Sequence, residues 1–275
     1  MKHAHFPVLQ VFIFLAFLIS DLWAGQHFAL VYRCEDAFAS IEVNGVGVMA
    51  SKKDTFVSGR RFVNEWILPG TNEIAVRIQP AGLTQGEPAF SFEIYAVKSG
   101  RIAFIDTSIE EAKKVYSFKW PEGPSNTRSL NTNGIFFANE APPSLLTAKG
   151  EVLKLTETER TNARAAVVAL GGNVEKKNKN AFLALMGFQL AEKVRLRQDA
   201  DPAFKKASEE MLLKMFDRLS GKNIKSKPDE WSFQLVMGGR LARVVEKSGK
   251  SPLDTEDSSF PIYLGKLDGQ WVFAR

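Results

Sequence analysis

The spacing of apolar residues changes period twice along this chain, and this limits the fold more than any other feature. From His27 to about residue 106, apolar and polar residues alternate in short runs. Between Thr156 and Leu219 they recur at helical spacing, and after Pro228 they alternate again. Two-residue periodicity buries one face of a strand, and 3.6-residue periodicity buries one stripe of a helix. The expected fold is mixed: a β-sandwich followed by an α+β domain of three helices and an antiparallel meander. At 275 residues the chain is long enough for two modest domains. The expected boundaries are 25–120 for the sandwich, 121–147 for a linker and 148–275 for the second domain.

In the first domain, "FASIEV" sets Ala39, Ile41 and Val43 on one face and Ser40 and Glu42 on the other. Asn44-Gly45 follows at once, a dipeptide that accepts the positive φ angles of a tight hairpin. Leu68-Pro69-Gly70 reads as a turn before "NEIAVRI", where Ile74, Val76 and Ile78 alternate with Ala75 and Arg77. "AFSFEIYAV" buries Phe90, Phe92 and Ile94, and "RIAFID" closes the set. Residues 121–147 are rich in Pro, Gly, Ser and Asn and read as a linker pinned near Trp120 and "IFF".

Thr156 and Glu159 have capping-box spacing at the head of "ETERTNARAAVVAL", which Gly171-Gly172 should end. "AFLALMGFQLAEKVRLR" forms a second helix with Phe182, Leu185, Met186, Gln189 and Leu190 at helical spacing. Asp201 and Pro202 open a third helix, and Gly221 follows its end. Phe204, Ala207, Ser208, Met211, Leu212, Met215, Phe216 and Leu219 make one stripe, read as core packing. "EWSFQLVM" then places Trp231, Phe233, Leu235 and Met237 on one face of a strand. Gly238-Gly239 and Asp268-Gly269 are the turn signals of the meander.

Residues 1–24 have the charged, apolar, small-residue order of a secretory signal peptide, with cleavage expected near Ala24. The expected location is periplasmic or secreted, with no transmembrane segment. The single cysteine, Cys34, can form no internal disulfide and reads as a small buried hydrophobe. The formal charge of +5 favours anionic partners such as an acidic protein. It is too scattered for nucleic acid.

The run from Asn44-Gly45 through "LPGTNEIAVRI" resembles the galactose-binding-like β-sandwich. Asn44, Gly45, Pro69, Gly70 and Asn72 carry the likeness, all as structural residues. Residues 150–275, three helices and a sheet ending in "LDGQWVFAR", resemble the NTF2-like cone fold. That resemblance implies an interior lined by apolar groups together with Arg240, Arg243 and Tyr263. Trp271 of the terminal strand pair completes the candidate binding residues. It also implies a homodimer.

Of three histidines, His3 and His5 leave with the leader, and His27 reads as a partly exposed residue at a strand start. A Ser-His-Asp or Cys-His device would need that one imidazole, and one Cys with one His is too few ligands for zinc. Asp254 and its neighbours in "DTED" lack the spacing of a calcium loop. No catalytic residue, cofactor or metal is therefore assigned. The expected function is binding of a protein partner after export, with an immunity-type inhibitor of a toxin as the mode. Two alternatives stand beside it. One is a carbohydrate or small-ligand module, which needs exposed Trp66, Trp231 or Trp271. The other is an NTF2-like enzyme using carboxylate or tyrosine chemistry.

Overall fold

The computed structural model describes residues 26–51, 56–81, 88–98, 112–121, 129–139, 141, 144–196, 202–221, 227–254 and 260–274. The leader, the "RIAFID" strand and the Asp201 cap lie outside the described residues. The chain divides into two compact units. One comprises Ala24–Ala148 and Val236–Gly238, and the other comprises Lys149–Leu235 and Gly239–Arg275.

The first unit contains eight described strands: β1 (Gln26–Glu35), β2 (Ala37–Val43), β3 (Val46–Ala50), β4 (Val57–Phe62), β5 (Gly70–Pro80), β6 (Ala89–Lys98), β7 (Lys113–Trp120) and β8 (Leu130–Ala138). They form two antiparallel sheets, ordered β4-β1-β6-β7 and β3-β2-β5-β8. The alternation explains the packing. Ala39, Ile41 and Val43 on β2, Ile74, Val76 and Ile78 on β5, and Phe90, Phe92 and Ile94 on β6 are all buried. The Phe28 ring on β1 lies 6.4 Å from that of Phe136 on β8, so the sheets face each other across one core. Each of the Val, Ile and Phe side chains so removed from water contributes about 1.5–3 kcal/mol.

Two strands were not anticipated. Residues 130–138, inside the stretch read as a linker, form β8 and pair along their whole length with β5. β7 alternates Tyr116, Phe118 and Trp120 with Ser117 and Lys119 and pairs with β6. Tyr116 and Phe118 both stack on Phe92, at 5.6 and 5.4 Å. On the edge strand β4, Gly59 lies opposite Tyr32 of β1, whose ring covers the space where a Cβ would stand.

His27 departs from expectation: it is 2% exposed. It lies in β1, an inner strand between β4 and β6, beside Asn64 and edge-on to Phe62.

The second unit begins near the five-residue helix α1 (Leu145–Lys149). Helices α2 (Glu157–Glu175), α3 (Lys179–Leu196) and α4 (Pro202–Leu219) follow. Strands β9 (Ser232–Val236), β10 (Leu241–Val245), β11 (Ile262–Leu267) and β12 (Gln270–Phe273) then form a sheet in the order β12-β11-β10-β9. Thr156 accepts from Glu159 N and Glu159 reaches back to Thr156 N, completing the capping box. α2 does not stop at Gly171-Gly172. It continues one turn, so that Val174 reaches the core beyond Leu170, and Lys177 takes up the left-handed conformation with φ 56°.

The α4 stripe is wider than the face that packs. Ser208, Leu212, Phe216 and Leu219 are buried, whereas Ala207 and Met211 are exposed. Met211 is one residue, about 100° of helix, from Leu212. One core joins Val167, Leu170, Phe182, Met186, Leu212 and Phe216 to Val244, Ile262, Leu264 and Phe273 of the sheet. Leu235 stands exposed on the edge strand β9, so of its row Trp231 and Phe233 pack on that core. No helix among the described residues is long and apolar enough to cross a membrane.

Candidate functional site

β8 reads "LNTNGIFFA", with neither charge nor proline. Its register with β5 runs without a shift from Gly70↔Ala138 to Ile78↔Leu130. β8 ends its sheet, so among the described residues β5 is its hydrogen-bonded neighbour. Phe136 and Ala138 face the core, while Ile135 is 69% exposed and Phe137 60% exposed on the opposite face. Proteins ordinarily blunt an edge strand with lysine, proline or a bulge, because its open row of N–H and C=O groups invites another strand. β8 itself uses none of these devices.

β7 ends the other sheet and approaches β8, with Tyr116 against Gly134 and 6.4 Å from Phe136. It exposes Lys113, Lys114 and Lys119. Lys114 donates to Glu93, which also accepts from the Tyr95 hydroxyl. These bonds, Lys114 first, hold the Glu93 carboxyl below its ordinary pKa. Neither β7 nor β8 contains a carboxylate, and Lys113 and Lys119 pair with no acid among the described residues.

The four residues named from the sequence do not converge. Arg240 donates from Nη1 to the Gly150 carbonyl, so it ties down the segment that enters α2. Arg243 and Tyr263 are directly paired across β10 and β11, Arg243 half-buried and Tyr263 buried. Trp271 pairs with Lys266 of β11 and packs on the helix-covered core with Phe273. Ile262 and Leu264 lie in that same core, so by strand alternation Tyr263 and Arg243 point to the other face of the sheet. Trp66 and Trp231 are buried, which removes two of the three aromatic platforms that a glycan site would need.

Sequence spacing counted Gln189 in the apolar stripe of α3. The stripe in fact changes character there: Phe182 and Met186 give way to buried Gln189 and Glu192. Arg195 clamps Glu192 through Nε at 3.0 Å and Nη2 at 2.7 Å. Gln189 Oε1 is buried without a partner among the described residues. An unmet buried acceptor carries its desolvation cost uncompensated. Gln189→Met, which fills similar volume without that acceptor, is expected to raise stability by about 1 kcal/mol in urea unfolding. An unchanged or lower midpoint would mean that the amide is satisfied in solution.

Cys34 is buried and donates to the Ala37 carbonyl at 3.1 Å, and burial pushes its thiol pKa up. Asp254 accepts from Ser251 N and Phe260 N and so organises its own loop. The described residues contain no group of three His, Cys, Asp or Glu side chains placed to hold a metal.

Glu151 ties the entry of the second unit to its terminal hairpin, accepting from Lys266 Nζ at 2.7 Å and Gly269 N at 2.8 Å. The Lys266 bond first, then the Gly269 bond, holds the carboxyl below its ordinary value. A depressed carboxyl pKa contributes stability above the unfolded-state value and loses it as pH falls through the folded-state value. Glu151→Gln should therefore flatten part of the acid limb of the stability–pH curve, at and below the ordinary carboxylate range. Parallel wild-type and variant curves across that range would show that the contact does nothing in solution.

Compared with family models, with curated proteins and with solved structures, the chain matches none.

Proposed function

We propose that this chain is an exported binding protein that engages a protein partner through the β8 edge of its sandwich, in the manner of an inhibitor seated on its target. The observation that carries this is an uncharged, unshifted nine-residue edge strand with Ile135 and Phe137 exposed side by side on one face. Strand addition uses main-chain hydrogen bonds for affinity and alternate side chains for selectivity, and such an edge offers both. The test is affinity capture from the native source with the full chain and its Ile135→Ser/Phe137→Ser variant, followed by reconstitution with the captured protein. A stoichiometric partner should bind the wild type and bind the variant at least tenfold more weakly. Equal binding by both would remove β8 from the interface.

The polar stretch of α3 favours a second reading, small-ligand binding inside the second unit, because Gln189 Oε1 is a buried acceptor without a described donor. Thermal-shift screening against small alcohols, amines and sugars tests it: a ligand of that site should stabilise the wild type and not Gln189→Met.

A further inference from the structure

We infer that the outer face of the β4-β1-β6-β7 sheet binds an anionic polysaccharide, a chain of carboxylated or sulfated sugars laid across the strands. This site is separate from the β8 edge and does not depend on it.

Alternation decides which side chains that face presents. Leu30 and Cys34 of β1, Phe90 and Phe92 of β6 and Trp120 of β7 are buried, so Arg33, Ser91 and Lys119 turn outward. On β4, Gly59 lies under the Tyr32 ring on the inner side, which turns Ser58 and Arg60 outward. Register sets Ser58, Arg33, Ser91 and Lys119 in one row, each opposite the next. The adjoining row runs Arg60, Val31, Glu93 and Ser117. With strands about 4.8 Å apart, each row crosses the sheet in about 14 Å.

The cations of these rows are open to an incoming anion. Glu93 already accepts from Lys114 and Tyr95. Arg60 and Lys119 have no ion-pair partner among the described residues. Arg33 meets Glu35 at 3.2 Å, but its side chain is 64% exposed, and so exposed a pair is readily exchanged.

A protein interface needs a desolvated apolar or aromatic core, and the two rows offer only the half-buried Val31. β1 and β6 are inner strands, so the face presents no open edge for strand addition. Single-stranded nucleic acid stacks its bases on aromatic rings, and neither row has one. Phe56, exposed beside them, has its ring under the Arg33 guanidinium. A neutral glycan would stack as well, whereas an anionic one is held by charge and hydroxyls. Its carboxylates or sulfates would meet Arg33, Arg60 and Lys119, and its ring hydroxyls Ser58, Ser91 and Ser117.

The probes are labelled oligogalacturonate and labelled dextran sulfate, titrated into the full chain by fluorescence anisotropy. Neutral dextran, a polyglutamate peptide and oligothymidylate of similar length serve as comparisons. At least one anionic sugar should bind tenfold more tightly than all three, and raising salt should weaken it. Arg60→Glu/Lys119→Glu should lose at least tenfold. Arg60→Gln/Lys119→Gln, which adds no acid beside Glu93, should lose at least threefold. Lys205→Glu/Lys206→Glu, the same change in net charge at exposed positions of α4, should lose less than twofold. Equal losses for the two glutamate pairs would show attraction to net charge alone and overturn the inference. So would polyglutamate or oligothymidylate binding as tightly as the sugars, or neither sugar exceeding neutral dextran. Ile135→Ser/Phe137→Ser should leave sugar binding unchanged. A loss there would move the ligand to β8 and overturn the assignment of this face.

Discussion

Replacing Asn72 by alanine is expected to remove about 4 kcal/mol from the stability of the sandwich, an effect at the upper end for a single side chain. Asn72 is fully buried at the start of β5. Its Oδ1 accepts from Leu68 N at 2.7 Å and from Asn44 Nδ2 at 2.8 Å. Its Nδ2 donates to Leu68 O at 2.8 Å and Gly70 O at 3.0 Å. One side chain thus closes the Leu68–Gly70 turn and ties it to the β2–β3 hairpin. Asn44 completes the tie by donating to Trp66 O and accepting from Glu73 N. Alanine would orphan two carbonyls and the Leu68 amide and leave Asn44 one acceptor short. Each buried group left unmet costs about 1–3 kcal/mol, less whatever water can reach after relaxation. Aspartate should not rescue, because it presents an acceptor where Leu68 O and Gly70 O need a donor. The check is urea unfolding of wild type, Asn72→Ala and Asn72→Asp, with Thr71→Ala at the adjacent exposed position as control. A loss below about 1 kcal/mol for Asn72→Ala would mean that the network is not closed in solution.

The turns that were legible are those whose requirement is local. At Asn44-Gly45, φ is 51° and 79°, and at Asp268-Gly269 it is 49° and 79°. These are the left-handed pairs that such dipeptides favour in tight hairpins. The same Asn-Gly dipeptide recurs at 133–134, and there it lies within β8. Nothing within a few residues distinguishes the two cases, because the cause of the second is Tyr116 on another strand. The same limit explains the linker expectation: Asn131, Asn133 and Gly134 carry loop chemistry, yet β5 offers a full ladder of partners. β7 differs: its strand signal, Tyr116, Phe118 and Trp120 in clean alternation, is present in the sequence although the strand was not expected there. On α4 the spacing gave the helix, but which side of a broad stripe packs depends on the neighbours.

The candidate site was less legible than the fold, for a related reason. Ile135 and Phe137 look like core residues in sequence. They are exposed because the pleat turns them to the outer face of the sheet, opposite Phe136 and Ala138, and which face is covered is not written in any short window. Gln189 fits a helical stripe by position, and only packing shows a polar atom at a buried place. Arg243 and Tyr263 were brought together as a cross-strand pair, while strand alternation sends Trp271 to the opposite face. A signal for the β8 edge did exist in the sequence: adjacent apolar residues, no charge and no proline across nine positions.

Gly134→Ala should destabilise the sandwich by about 2 kcal/mol, and the cause should be traceable to one ring. A Cβ at position 134 would come within 2.9 Å of Tyr116 Cζ and 3.1 Å of Cε2, with the hydroxyl oxygen closer still. The ring cannot easily yield. It stacks on Phe92 at 5.6 Å and lies 6.4 Å from Phe136. Moving it would open space among the three, and moving β8 would strain its ladder to β5. Gly134 costs β8 some backbone entropy, which the close approach of Tyr116 offsets. Tyr116→Phe removes the hydroxyl but keeps the ring, so it should relieve only part of the clash. The Gly134→Ala/Tyr116→Phe double variant should then be less destabilised than the sum of the singles, a coupling of about 1 kcal/mol. Urea unfolding of the four proteins measures it, with Asn133→Ala as an exposed control on the same strand. Strict additivity, or a Gly134→Ala protein as stable as wild type, would show that Tyr116 does not press on β8, and the glycine in that strand would need another cause.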